Sequence, residues 1–396
     1  MNTTTTRALM MLAIGSFLAA PVAAQDQEPQ EGSPYVTQQE LDAIQQELED
    51  TLSDYDASFD DIDNQLSLLD SLRPGTRNVT IAGSASFTYN DAGNGPSTVD
   101  GSFAPILLFH LRDNLMLEAE TEFGVAPGVV ELEYAQILYT MNDYATFGVG
   151  KFLAPLGQFR ERYHANWINK LPDMPMYAGE GGPVPHELVG AQVRGGIRTG
   201  DVQWKYTFFA ADGAKNATPA DPGGTKFDFE PDGIDFSQNK AIGGRIGVLP
   251  VSWMEFGVSG YSGKPSNPAG SSVGDLSIFM FDFAAHKETP IGFLRVDAET
   301  VTSKLDSGVS ETWTGGYTQA ALRPNFGGGP SAFEGVVRYD WLGFPSNIPS
   351  SLEPTRWTAG IDYWLDESTV IKLAVESIDV AGDTQNSFLL ETAIGF

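Results

Sequence analysis

From Arg77 onward, apolar and polar residues alternate with a period of two. In "VTIAGSASFTY", Val79, Ile81, Ala85, Phe87 and Tyr89 share one face, while Thr80, Ser84, Ser86 and Thr88 share the other. "LMLEAETEF" sets Leu115, Leu117, Ala119 and Phe123 against Glu118, Glu120 and Glu122. "VQWKYTFFA" and "FEGVVRYDW" repeat the pattern, with Lys205 in the first and Glu334, Arg338 and Asp340 in the second on the polar side. Each reads as a strand with one apolar and one polar face. About sixteen strands are predicted, beginning near residues 77, 101, 114, 129, 144, 187, 201, 239, 251, 273, 290, 314, 331, 355, 368 and 387.

The connections sort by length. "RDN" (112–114), "MND" (141–143), "TGD" (199–201) and "LDES" (365–368) are short, and between them come longer loops at 90–101, 153–187, 212–238, 263–272, 303–313 and 344–354. A water-soluble sandwich shows the same alternation but has no reason to place short turns at one end and long loops at the other. An outer-membrane barrel does. Every backbone N–H and C=O in lipid needs a partner, so a spanning sheet leaves no edge. The predicted fold is therefore all-β, a transmembrane antiparallel β-barrel of about sixteen strands over residues 77–396. At that strand number side chains do not fill the interior, and an aqueous channel is expected in place of a core. Parity puts Arg194, Arg198, Lys205, Arg245, Arg295, Arg338 and Lys372 on the inner face. Glu118, Glu120, Glu122, Glu131, Glu133, Asp297, Glu299 and Asp340 share it.

The first part of the chain reads differently. Arg7, an apolar run and "VAA" before Gln25 make residues 1–24 a removable secretory signal, which places the rest outside the cytoplasm. Residues 25–34 are an acidic linker, and "RPGT" (73–76) is a second linker. Between them, in 35–72, Leu41, Leu48, Leu52, Tyr55, Phe59, Ile62, Leu66 and Leu69 recur at steps near three and four, broken by Gln45. That spacing predicts a short α-helical coiled coil in the periplasm. The alternative is a single amphipathic helix or an acidic tail, because no Lys or Arg lies between Arg7 and Arg73 to pair with fourteen acids.

The whole chain carries 23 Lys and Arg against 52 Asp and Glu, a formal charge of −29, which excludes nucleic-acid binding. Cysteine is absent, so stability rests on backbone pairing and packing. The four histidines, His110, His164, His186 and His286, have no nucleophile or ligand spacing around them. No enzyme activity, cofactor or metal is expected.

Against that acidity, residues 151–170 hold Lys151, Arg160, Arg162 and Lys170 with one acid, Glu161. If the N-terminus stays periplasmic, odd strands end outside, and this run opens the third outer loop, the longest. Its mixture of Arg, Lys, Phe159, Tyr163 and Trp167 suits neither bulk water nor lipid. Folded inward, it would narrow the channel with charged side chains. The competing reading has these cations bind outer-leaflet phosphates or pair locally with Glu161 and Asp173.

Gly150, Lys151, Phe152, Pro155, Gly157 and "ERYHANWINKLP", then "YTFFAADGAKN" (206–216), "AIGGRIGVLP" (241–250), "VVRYDWL" (336–342) and "TAGIDYWLDESTVIKLAVE" (358–376), stand in an order that resembles the phosphate-selective porin O/P family. The resemblance covers nearly all of the barrel and none of the acidic helix. It implies a sixteen-stranded homotrimer with an inward third loop. The ending "SFLLETAIGF", with Phe388, Leu390, Ile394 and Phe396 on one face, looks like the signal read by the barrel-assembly machinery. The implied function is passive diffusion of small polar or ionic solutes, anions such as phosphate among them, across the cell outer membrane. Here this chain departs from the family, whose phosphate channels carry a ladder of arginines, because its inner face mixes both signs. The alternative function is a tether that reaches peptidoglycan through the coiled coil.

Overall fold

In the computed structural model, residues 79–396 are described apart from 94, 126–129, 180, 219–223, 230–239, 268 and 326–331; residue 46 is also described. The removable signal, the linkers and the coiled coil over 35–72 lie outside the described residues.

Alternation becomes strand at every predicted place. In chain order these are β1 (Val79–Asp91), β2 (Thr98–Arg112), β3 (Leu115–Gly124), β4 (Val130–Asn142), β5 (Ala145–Leu153), β6 (Glu187–Thr199) and β7 (Val202–Ala211). A two-stranded ribbon follows, β8 (Lys215–Asn216) with β9 (Phe227–Asp228). Then come β10 (Ala241–Val251), β11 (Met254–Gly263), β12 (Asp275–Thr289), β13 (Gly292–Asp306) and β14 (Ser310–Pro324). The last are β15 (Phe333–Gly343), β16 (Thr355–Trp364), β17 (Thr369–Val380) and β18 (Asp383–Gly395).

All but the ribbon form one closed antiparallel barrel of sixteen strands in sequence order. The seam is β1 on β18, with Ser84 opposite Gly395 and Asp91 opposite Phe388. Gly83 and Phe396 exchange both backbone hydrogen bonds there, at 2.9 and 3.0 Å. Gly83 has φ near +149°, and a Cβ at this position would press into the Ala104 carbonyl across β2. The Phe396 ring stacks on Phe103, centroids 5.8 Å apart.

The outer surface follows the alternation. Ile81, Phe87, Val149, Phe279, Trp357 and Val375 are exposed on it, in the pattern that a lipid-facing wall requires. Phe388, Leu390, Ile394 and Phe396 share this face.

Two sequence expectations are corrected. Residues 303–313 are not a long loop: β13 and β14 run on through them and turn over Ser307–Val309, with Asp306 opposite Ser310. The interior is also not a channel without a core. A cluster including Phe152, Leu156, Phe159, Tyr177, Phe209, Phe227, Tyr261, Ile278, Met280, Leu305, Trp313 and Tyr317 fills part of it. β12 explains why. Leu276, Ile278 and Met280 face inward and are buried, while Phe279 and Phe281 are exposed outside. Both faces are apolar because chain entering the barrel from the loop end covers the inner one.

Candidate functional site

The chain that enters the barrel is residues 154–186, between β5 and β6. It leaves Leu153, makes one helical turn at Phe159–Tyr163 and another at Met176–Ala178, and returns at Glu187. Gly157 adopts φ near +78°, and a Cβ there would overlap the Glu299 carboxylate, so only glycine brings the backbone this close to β13.

Hydrogen bonds fasten this segment to walls all round the barrel. On β11–β13, Gly157 N–H donates to Ser259 (3.1 Å), and Gln158 and Phe159 N–H both donate to Glu299 Oε1 (2.7 Å each). The Tyr177 hydroxyl donates to the same carboxylate, and Gln158 Nε2 donates to Asp282 (2.6 Å). On β15 and β16, Arg338 donates to the carbonyls of Asp173 (2.8 Å) and Met174 (3.1 Å). Arg356 reaches Asp173 Oδ2 (3.1 Å) and the Met174 carbonyl, and Asp340 accepts from Met176 N–H (3.1 Å). On β1 and β17, Asn166 donates to Ser86 (2.5 Å) and accepts from Lys372 through its carbonyl. Trp167 packs against Trp364, Val370 and Ala393.

The basic run is therefore distributed over the interior. Arg160 lies between Glu133 (3.2 Å) and Glu187. Arg162 meets Glu255 and Gln158, both at 2.9 Å. Lys170 meets Glu334 (2.9 Å) and lies over the Trp364 ring, 4.7 Å from its centre. Lys151 stands on the face of Phe147 and Val149, which are exposed outside, and donates to the Leu132 carbonyl (2.5 Å). Burial pushes the Lys170 ammonium and the Glu161 carboxyl toward their neutral forms. Burial, helped by the Arg160 cation, pushes His164 and His186 down to about 4.

The parity residues divide in the same way. Arg245 binds Asp282 and Glu255, Arg295 binds Asp297, Arg338 binds Asp340, and Lys372 binds Glu391. Lys205 joins Glu255 at 2.9 Å. Arg198 is exposed next to the short turn to β7. Glu118, Glu120 and Glu122 form an inward column on β3. A bulge in β4 sets Glu120 opposite Tyr134 and Thr121 opposite Leu132, skipping Glu133 and turning it inward toward Arg160.

Space remains on the β1–β6 side. A cavity of about 390 Å³ on the loop side is lined by residues including Ser86, Asp100, Glu120, Glu122, Glu133, Arg160 and His164. A second, of about 310 Å³ toward the short turns, is lined by residues including Glu118, Glu120, Gln136, Arg162, His164 and Arg194. They have Ser84, Glu120, His164 and Ala165 in common. The two cavities thus adjoin at Ser84 and Glu120 on the barrel wall and at His164 and Ala165 on the inserted segment. The sequence reading missed these two loop residues. Their only signal was position in the loop, since neither is a cation at neutral pH.

No family model matches the chain, and no curated protein matches it. Among solved structures, it is similar to an anion-selective porin from Comamonas acidovorans (TM-score 0.54, 12% identity, covering 80% of this chain and 99% of that one). It is also similar to the outer membrane channel DcaP of Acinetobacter baumannii (TM-score 0.51, 12% identity, 80% and 97%) and to OmpF of Salmonella typhi (TM-score 0.51, 8% identity, 81% and 98%). This likeness shows the fold of an outer-membrane porin. It does not show membership of the phosphate-selective group.

Proposed function

We propose that the chain is a porin of the cell outer membrane, through which small polar and ionic solutes diffuse passively. The observation that carries this is the pair of adjoining cavities inside a closed barrel, one on each side of residues 154–186. The apolar outer wall supports the location, because an exposed belt of this kind needs lipid to cover it. Residues 154–186 act as the constriction, with Arg160 and Arg162 beside the path and His164 and Ala165 where the two cavities adjoin. Lys151 and Lys170 serve the wall instead.

Assembly as a homotrimer, insertion through the terminal strand, and a periplasmic coiled coil over 35–72 complete the proposal. Single-channel recording of purified protein in a planar bilayer tests it. Stepwise conductance is expected, and its absence would sink the channel reading. Deleting residues 25–72 and measuring the oligomer size tests the coiled coil, which is expected to strengthen the trimer.

A further inference from the structure

Resting on the channel reading, we infer that the path past residues 154–186 prefers cationic solutes over anions. The charge that lines it is unequally compensated. Arg160 is occupied by Glu133 and Glu187, Arg162 by Glu255, and Asp173 by Arg356. Those pairs cancel. Five further carboxylates line the two cavities: Asp100, Glu118, Glu120, Glu122 and Glu161, the last pushed toward its neutral form by burial. Among the described residues none of them is in an ion pair. Asp100 accepts from its neighbour Gly101 N–H, and Glu118 accepts from the neutral Gln136 amide. On the other side of the account stands one guanidinium, Arg194.

The carboxylates are also arranged along the route. Glu118, Glu120 and Glu122 are alternate residues of one strand, so they recur roughly every 7 Å along the wall. Glu120 stands where the two cavities meet, Glu118 on the short-turn side and Glu122 on the loop side. Glu131 is directly opposite Glu122 in the neighbouring strand and is exposed. A cation moving through the narrow part thus passes from one carboxylate to the next, whereas an anion meets the same series as repulsion. At separations of several ångströms, one unpaired charge changes the local concentration of a monovalent ion by about twofold to threefold even with the dielectric constant of water. The arginines on the opposite wall are saturated and offer an anion no comparable series. This sign is opposite to what the resemblance to phosphate-selective porins implies.

The test is the reversal potential of single channels in a potassium chloride gradient. At about 0.1 M salt, a potassium-to-chloride permeability ratio of about 3 or more is expected, falling toward unity near 1 M as the charges are screened. In swelling assays with proteoliposomes, glucosamine should enter faster than glucuronate. The variant carrying Glu118→Gln, Glu120→Gln and Glu122→Gln should bring the ratio close to 1. If that variant fails to assemble, Arg194→Gln is measured instead and should raise the ratio. A conducting wild-type channel with a ratio at or below 1 would overturn the charge inference and leave the channel reading standing. Absence of any conductance would overturn the channel reading itself.

Discussion

Replacing Glu299 by alanine should release one end of the segment inside the barrel while the barrel remains assembled. Glu299 is buried on β13, and its carboxylate accepts from the N–H groups of Gln158 and Phe159 and from the Tyr177 hydroxyl. Hydrogen bonds to a charged acceptor are each worth about 1.5–3 kcal/mol. Removing the carboxylate also removes its own burial cost, and water in the lumen can reach part of the freed backbone. A net loss of about 1 kcal/mol per bond is therefore a conservative figure, or about 3 kcal/mol for the three. At about 1.4 kcal/mol per tenfold change, the ratio of docked to released segment falls by roughly 100-fold. The release should be local, because Arg338, Arg356 and Lys372 still hold Asn166, Asp173 and Met174. Single-channel traces of Glu299→Ala should show larger and noisier openings, and trypsin should gain access to the bonds after Arg160 and Arg162. The shift from folded to heat-unfolded mobility on a gel should be unchanged. Glu299→Gln, which keeps an acceptor oxygen, should fall between the two. Wild-type conductance, noise and trypsin resistance in Glu299→Ala would refute the idea that this carboxylate is the anchor.

Gly157→Ala should act in the same direction as Glu299→Ala, since it combines a strained backbone with an overlap on that carboxylate; the same traces report it. Acid should loosen the segment. His164 and His186 are held near 4 when folded against an ordinary value of 6.5, so the stability they contribute is complete above pH 6.5 and is lost as pH falls toward 4. The loss is no more than about 3 kcal/mol for each, and recordings at pH 7 and pH 4 should differ in noise. Deleting Phe396 removes two backbone hydrogen bonds and a ring stack at the seam, so the yield of assembled barrel in membranes should fall. Arg338→Met should destabilise the 173–176 end of the segment by about 3 kcal/mol, because Asp340 is left buried with less compensation; thermal unfolding checks it.

Strand alternation was enough to read the strands, but not to tell a barrel from a sandwich. The sorting of connections by length decided for the barrel, and predicted strand starts fall within a few residues of β1–β18 outside the ribbon. What escaped sequence reading is contact across the lumen. The inward Leu276, Ile278 and Met280 look out of place on a supposedly polar face until Phe152, Leu156 and Phe159 pack near them. Residues 303–313 contain Ser, Asp and Gly, which read as a loop, but the cross-strand pairing of β13 with β14 carries the sheet to Asp306 and Ser310. Parity puts Glu133 on the inner face, where it lies, but misses the bulge there that turns the next residue, Tyr134, inward as well. For the basic run, spacing along the chain could not distinguish cations beside an open path from cations spent on wall carboxylates. Arg160 and Lys170 are ten residues apart in one run, yet one bonds β4 and the other β15.

The lopsided filling of the barrel divides its inner surface into two regimes of substitution. Where residues 154–186 pack against β11–β16, a change in size or charge has to satisfy a jigsaw of buried partners, and most replacements would cost stability. Along β2 and β3, a side chain such as Asp100 or Glu122 borders open space and makes no ion pair among the described residues. Those positions can drift, one residue at a time, without disturbing the scaffold. A descendant of this chain could thus exchange its preferred solutes for others while keeping the same architecture, and an engineer could do so deliberately from the same few positions.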